Sequence, residues 1–217
     1  MGEKYKFEIK TAKDITQRLD DVKGIDEIKD EINNLIKMIK EPAKYQEVGA
    51  ELHKGVLLFG EPGVGKTLVA RAIAGEANCN FIYCTGSNFD EMWVGLGAKR
   101  VRELFTEARK HTPCIIFIDE IDSLLSKNRR SGGEGSSSRA TINELLSQMD
   151  GFEKTDNILI IGATNHEDAL DTAATRPGRF DKKIHVPKPD QKGREDIFEL
   201  YLEKIARSQD VKAKNLA

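Results

Sequence analysis

At 217 residues with a net charge of −2, the chain is the size of one α/β domain, or of one domain plus part of another. Hydrophobic residues at 39% and charged residues at 32% describe an ordinary soluble globular protein, and the balanced charge leaves no basic footprint for nucleic acid. No apolar run approaches the roughly 18 residues of a membrane helix, the start at Met1 lacks a signal-peptide core, and Lys6 stands where a myristoylation signal wants Ser or Thr.

Residues 1–20 are polar and weakly periodic, and read as a tail or linker. From Gly24 onward, Ile25, Ile28, Ile32, Leu35, Ile36 and Ile39 share one helical face, and Glu41-Pro42 stops that helix. A short segment, Lys44 to Val48, leads to an apolar strand over 56–59. That strand breaks into Gly60-Glu61-Pro62-Gly63-Val64-Gly65-Lys66-Thr67, and a helical pattern runs from Leu68 to Ala77. The spacing G-x-x-x-x-G-K-T between a strand and a helix predicts a phosphate loop. Its glycines let successive backbone N–H groups curl around an anion, and the helix start adds partial positive charge. Lys66 is placed to reach the β- and γ-phosphates and Thr67 to put its hydroxyl on Mg²⁺.

A second strand is predicted over Asn80 to Thr85, a helix over Gly97 to Lys110, and a third strand over Cys114 to Ile118 that is apolar throughout. Ser131 to Ser138 is low in complexity and reads as a mobile loop. Thr141 to Met149 is helical, Ile158 to Ile161 a fourth strand, Lys183 to Val186 a fifth, and Gln191 to Ala206 a last helix. Alternating strands and helices predict a doubly wound, five-stranded parallel sheet with its ligand at the carboxyl ends of the strands.

Two strand ends carry chemistry. The third finishes in Asp119-Glu120, where Asp119 would hold Mg²⁺ through water and Glu120 would orient and activate a water; a helix-capping Asp is the plainer alternative. The fourth finishes in Gly162-Ala163-Thr164-Asn165, whose amide could bond the attacking water or simply stabilise a turn. Arg176-Pro-Gly-Arg179-Phe-Asp181 sets two arginines around a rigid turn. Spacing alone leaves open a phosphate-contacting finger or a surface ion pair. Trp93, between Met92 and Gly95, fits a core position or an exposed loop tip equally well. Cys79, Cys84 and Cys114 show no C-x-x-C spacing and read as buried free thiols. His53, His111, His166 and His185 form no ligand spacing, and the absence of N-K-x-D favours adenine over guanine.

These segments together resemble the AAA+ ATPases, and within them the FtsH-type membrane-anchored proteases. Matching stretches run from about Leu19 to Ile205. Besides the phosphate loop and Ile116-Phe117-Ile118-Asp119-Glu120-Ile121-Asp122, the run from Asn165 to Asp181 is similar to the second region of homology. Gly95 to Phe105 resembles the FtsH branch, and Met149-Asp150-Gly151-Phe152 its intersubunit signalling motif. The resemblance implies a P-loop NTPase fold, with an α/β nucleotide-binding subdomain over 21–187 and only the start of a helical lid over 188–217. It implies an ATPase motor working as a hexameric ring on unfolded protein substrates, with ATP and Mg²⁺ as ligands.

Residue by residue, it makes Asp119 and Glu120 the Walker B pair and Asn165 sensor 1. Arg176 and Arg179 would reach a neighbour's γ-phosphate. Trp93-Val94-Gly95 would be the pore loop, Val22, Lys23 and Gly24 would line the adenine site, and Asp150, Gly151 and Phe152 would signal between subunits. The loop itself would contribute Gly60, Glu61, Pro62, Gly63, Val64, Gly65, Lys66, Thr67 and Leu68. The family commonly has Pro and Thr where this chain has Glu61 and Val64, and Phe or Tyr where it has Trp93. A zinc protease domain with H-E-x-x-H would lie beyond Ala217. Membrane segments of a bacterial inner, mitochondrial inner or plastid membrane would lie before residue 1, leaving this domain in the aqueous compartment. A stand-alone remodelling ATPase without a protease is the alternative.

Overall fold

The computed structural model describes residues 7–50, 52–89, 95–126, 135–151, 157–205 and 211–217. Among them a six-stranded sheet has the order β1-β3-β4-β5-β2-β6. The strands are β1 (Glu8–Lys10), β2 (Gly55–Phe59), β3 (Asn80–Thr85), β4 (Cys114–Asp119), β5 (Ile158–Thr164) and β6 (Phe180–His185). All neighbouring pairs from β3 to β6 are parallel, as expected of strands joined by helical crossovers. β1 is the exception. It lies antiparallel on β3, with Ile9 opposite Ile82, so the sheet has one strand more than the five predicted, and that strand runs the other way.

The helices are α1 (Lys29–Lys40), α2 (Pro42–Glu47), α3 (Lys66–Ala77), α4 (Leu96–Lys110), α5 (Asp122–Leu125), α6 (Gly135–Asp150) and α7 (Gln191–Leu202). They cover both sheet faces, and the two-residue period of each strand divides the core between them. Val56, Leu58, Phe81, Phe117 and Ile161 face the side of α1 and α3, packing with Ile32, Ile36, Val69 and Ile73. Leu57, Ile82, Ile116, Ile118 and Ile160 face the side of α4 and α6, packing with Val101, Leu104, Phe105, Ile142 and Leu145. Burial on both faces explains why the central strands read as unbroken apolar runs.

Several boundaries differ from the sequence reading for local reasons. Residues 8–20 are not a free tail: Ile15 and Leu19 are buried in the core, and the Leu19 N–H donates to Glu76 Oε1 at 3.2 Å. Gly75 permits this crossing, because a Cβ there would stand 2.0 Å from the Gln17 carbonyl oxygen. α6 begins six residues before the predicted Thr141 and takes in part of the Ser/Gly-rich run, whose residues 131–134 lie outside the described residues. The last helix ends at Leu202 rather than Ala206. β6 starts at Phe180 rather than Lys183, since Phe180 and Lys182 pair with Gly55 and Val56 of β2, with Asp181 at the register shift between them. No helix among the described residues is long and apolar enough to cross a membrane.

Candidate active site

The strand order puts β4, β5 and β2 side by side, so their carboxyl ends form one row. Phe59 is in register with Thr164, and Ile118 with Gly162. The chain leaves β2 through Gly60, whose φ of +153° and whose hypothetical Cβ, 2.3 Å from the Val186 carbonyl oxygen, both require glycine. Gly63 and Gly65 also have positive φ, 79° and 93°, and for each the space where a Cβ would stand is open. Helix α3 starts directly after Gly65, and the Gly65 carbonyl accepts the Val69 N–H at 2.9 Å. Glycines with open space beside them at a helix start suit the close approach of phosphate oxygens to backbone N–H groups.

Lys66 is the first residue of α3 and is buried, 8% exposed. Its ammonium donates to the Gly60 carbonyl at 2.8 Å, the Glu61 carbonyl at 2.8 Å and Asn165 Oδ1 at 2.6 Å. Burial pushes its pKa below the usual lysine value, opposed by the charges of Asp119 and Asp122. Next to it, Thr67 Oγ1 donates to Asp119 Oδ2 at 3.1 Å. A hydroxyl and a carboxylate held this close are hard oxygen donors of the kind Mg²⁺ takes, so the residues present fit that ion. Glu120 follows in the left-handed region at φ 49°, with its backbone N–H donating to Asp119 Oδ1 at 3.0 Å and its side chain exposed.

Of the predicted residues, Lys66, Thr67, Asp119 and Asn165 are thus directly joined, with Glu120 beside them. Glu61 is drawn outward instead, its carboxylate 2.5 Å from Lys188 Nζ. Leu68 is on the exposed side of α3, 36% exposed. Val22 is buried, and Gly24, at φ 74°, packs so closely on Pro189 that a Cβ would stand 2.7 Å from Pro189 Cβ. Lys23, between them, is half-buried. Pro189 leaves the sheet just after Val186, the residue against Gly60, so the adenine-site candidates approach the loop from that side.

The arginines lie elsewhere. Arg179 stands at the start of β6, its carbonyl against Gly55 at the opposite end of β2 from the phosphate loop. Five strand residues at about 3.3 Å each separate the two by roughly 17 Å. Its Nε and Nη2 donate to Asp150 Oδ1 and Oδ2 at 3.0 and 2.8 Å, and Nη1 donates to the Ala173 carbonyl at 2.7 Å. Arg176 is exposed on the same turn. Neither can serve the phosphate loop of its own chain. Gly151 follows Asp150 at the end of α6, and Gly95 precedes α4 at φ 86°. Trp93, Val94 and Phe152 lie outside the described residues.

Sequence reasoning missed one pairing in the row: Thr164 Oγ1 donates to Asp122 Oδ1 at 2.6 Å. The available signal was that Thr164 precedes Asn165 and Asp122 lies two residues after Glu120. All three cysteines are free and buried, and burial pushes Cys79 up to about 11, Cys114 up to about 12, and Cys84 upward as well. Among the described residues no group of three or more His, Cys, Asp or Glu could hold a metal ion.

The model of the AAA family, described as the ATPase family associated with various cellular activities, matches residues 56–188. The chain is 53% identical over 204 residues to the ATP-dependent zinc metalloprotease YME1 homolog of Caenorhabditis elegans, covering 94% of this chain and 28% of that protein. It is 52% identical over 194 residues to the ATP-dependent zinc metalloprotease FtsH of Aquifex aeolicus, covering 88% of this chain and 30% of that one. Against the ATP-dependent zinc metalloprotease YME1L1 of Homo sapiens it is 52% identical over 190 residues, covering 88% and 24%. The chain therefore spans less than a third of the length of these relatives. Because the matched region takes in the phosphate loop, the three strand tips and the arginine turn, the chain belongs to the AAA ATPases, as an FtsH-type AAA domain.

Proposed function

We propose that this domain hydrolyses ATP in a hexameric ring whose motion unfolds and threads protein substrates, and that it does so in a membrane-anchored protein that also carries a zinc protease. The observation behind this reading is the separation of two half-sites. Lys66, Thr67, Asp119 and Asn165 meet at one end of the sheet, while Arg179 is fixed at the other. A site divided in this way is completed by a second copy of the chain, whose Arg176 and Arg179 would face the γ-phosphate.

In this reading, the backbone N–H groups of the loop 60–67 bind the β- and γ-phosphates, and Val22, Lys23 and Gly24 flank the adenine. Thr67, and Asp119 through water, would hold Mg²⁺, which supplies charge neutralisation between the phosphates when bound. Glu120 takes the proton of the attacking water as the new P–O bond forms in line with the bond to the departing ADP oxygen. Lys66 has three N–H donors and three intrachain acceptors, so a phosphate oxygen that reaches it takes one of those bonds in exchange. Asn165 then keeps its amide at the place where the water and γ-phosphate meet. The neighbour's guanidinium groups offset transition-state charge, an effect worth about 10³–10⁵ in rate for such fingers. Trp93, Val94 and Gly95 grip the polypeptide, and Asp150, Gly151 and Phe152 carry the nucleotide state to the next protomer.

Glu120→Gln in the full-length assembled protein tests the chemistry. The expected result is ATP affinity like wild type with phosphate release abolished; turnover near wild type would remove Glu120 from the mechanism. The isolated chain is expected to be mainly monomeric with little ATPase activity. Robust turnover at a concentration where sizing detects monomer alone would count against arginines acting in trans.

A further inference from the structure

Glu120 and Asn165 approach the candidate reaction centre from different strands, and neither is held by a side-chain bond that survives the reaction as proposed. The bond from Lys66 to Asn165 is one of the three that a phosphate can displace. Glu120 is exposed and sits in a left-handed conformation that a glutamate rarely adopts. Something else must fix the distance between the two.

Thr164 ends β5 with its side chain 1% exposed. Its Oγ1 accepts the backbone N–H of His166 at 2.9 Å, closing a hydroxyl turn around Asn165, so the residue between the two ends has little freedom in its own backbone. The same Oγ1 donates its hydrogen to Asp122 Oδ1 at 2.6 Å. Asp122 opens α5, two residues after Glu120. The segment between is pinned by the Ile121 N–H on the Ala163 carbonyl at 2.9 Å and by the Ser123 N–H on the Glu120 carbonyl at 3.0 Å. One buried hydroxyl therefore clamps the Asn165 turn and ties it to the turn that carries Glu120.

We infer that Thr164 and Asp122 are positioning residues for hydrolysis: their hydrogen bond fixes Asn165 relative to Glu120, so that both address the same water and γ-phosphate. This inference rests on the hydrolytic reading above. Neither residue touches the nucleotide in that reading, although the Asp122 charge acts on Lys66, so loss of the Thr164 hydroxyl should leave binding intact and slow the chemical step. A misplacement of about 1 Å costs on the order of 10²-fold when catalytic geometry is tight. Part of the clamp survives through the backbone bonds of Ile121 and Ser123, so a smaller loss is expected here.

The test uses four variants of the full-length assembled protein and, for exchange measurements, the present chain. Thr164→Val keeps the shape and removes the hydroxyl; Thr164→Ser keeps the hydroxyl. Asp122→Ala removes the acceptor; Asp122→Asn keeps an oxygen for it while removing the charge. Thr164→Val and Asp122→Ala should each lower kcat about tenfold with the KM for ATP within twofold of wild type. Thr164→Ser and Asp122→Asn should stay within about threefold in kcat. Independently of turnover, the His166 amide should exchange with deuterium at least fivefold faster in Thr164→Val and at the wild-type rate in Thr164→Ser.

A Thr164→Val enzyme with kcat within twofold of wild type would overturn the inference, as would a Thr164→Ser enzyme as impaired as Thr164→Val, or a KM that rises in step with the loss of kcat. Should Thr164→Val fail to fold, Asp122→Ala against Asp122→Asn decides, because both remove the charge and only alanine removes the acceptor: equal kcat in the two overturns the inference. Wild type and Glu120→Gln run alongside separate the two levels. Absent wild-type turnover sinks the hydrolytic reading itself, and turnover near wild type in Glu120→Gln removes Glu120 from it, whereas the Thr164 and Asp122 series bears on their positioning alone.

Discussion

Arg179 holds both carboxylate oxygens of Asp150, in a fork closed by a third bond to the Ala173 carbonyl. The two residues come from different segments, the end of α6 and the turn before β6, and their pairing makes the arginine turn and the end of α6 one mechanical unit. Either residue moving requires the other to let go. The Arg179 hydrogen bond holds the Asp150 carboxyl below the usual carboxylate range, and the same bond raises Arg179. Asp150 is half exposed, so the pair contributes about 1 kcal/mol or less. Because the Asp150 pKa is lower in the folded state, this contribution is present above its ordinary value of 3.8 and fades as pH falls through the folded value. Asp150→Asn should lower the melting temperature at pH 7 by no more than about 4 °C, and the difference from wild type should shrink toward pH 3. Differential scanning fluorimetry across that range checks it. In a double-mutant cycle, Arg179→Ala should cost less once Asp150 has been replaced, the remainder being its bond to the Ala173 carbonyl.

Gly60 and Gly65 are both glycines of the phosphate loop, yet their replacements should fail in different ways. Alanine at Gly65 meets nothing within 4 Å, so its cost is the strain of φ 93° alone, about 1–2 kcal/mol. For a chain of this size that is a fall of about 2–8 °C in melting temperature. Alanine at Gly60 must also push away the Val186 carbonyl, and Val186 is itself fixed by donating its N–H to Phe59 at 2.8 Å. Gly60→Ala should therefore destabilise at least twice as much as Gly65→Ala. Affinity should separate them the other way. Gly65→Ala should remain folded, but its methyl group would take up open space beside the loop, where the proposed reading puts phosphate, and calorimetric titration with an ATP analogue should show at least a tenfold loss. Equal destabilisation by the two variants would contradict the packing of Val186 on the loop.

How much of this could be read from the sequence depends on whether the signal is local. The phosphate loop is legible because glycine spacing and flanking patterns sit within a dozen residues. The central strands are legible because burial on both faces leaves a run such as Cys114 to Ile118 without a polar residue. β1 is not: Glu8, Ile9 and Lys10 form a three-residue edge strand with charged ends, too short to show a period. The start of α6 is hidden for a different reason, since Gly135 and the serines after it have turn-forming composition and are carried into the helix by its packed continuation. Pairings across the fold are the least visible. Thr164 and Asp122 are 42 residues apart and Lys66 and Asn165 are 99, and no spacing rule links them. The arginine turn was ambiguous between finger and ion pair, and within one chain Arg179 forms the ion pair.

The buried N-terminal segment gives a prediction on stability. Ile15 is 2% exposed among core residues, in a stretch whose composition resembles a linker. Truncating it to alanine should cost about 2–4 kcal/mol, the usual range for a buried isoleucine, or a fall of about 5–15 °C in melting temperature. A residue in a free tail would change stability by no more than about 0.5 kcal/mol. Thermal unfolding of Ile15→Ala separates the two outcomes.

Glu120 gives the last prediction, because its chemistry and its conformation can be separated. Its φ of 49° is unfavourable for glutamate, while asparagine tolerates that region through short-range bonding of its own side chain. The conformation is imposed from both sides: the Glu120 N–H is held by Asp119 Oδ1 and its carbonyl by the Ser123 N–H. Its side chain is exposed and has little packing to lose. Glu120→Asn should therefore raise the melting temperature, by about 1–4 °C for roughly 0.5–1 kcal/mol of relieved strain. Glu120→Gln keeps the strain and should melt as wild type does. Both should lose turnover, by at least the 10² that a general base typically contributes. A Glu120→Asn protein no more stable than Glu120→Gln would mean that the backbone at this position costs nothing to hold, and that glutamate there is not maintained against stability by its chemistry.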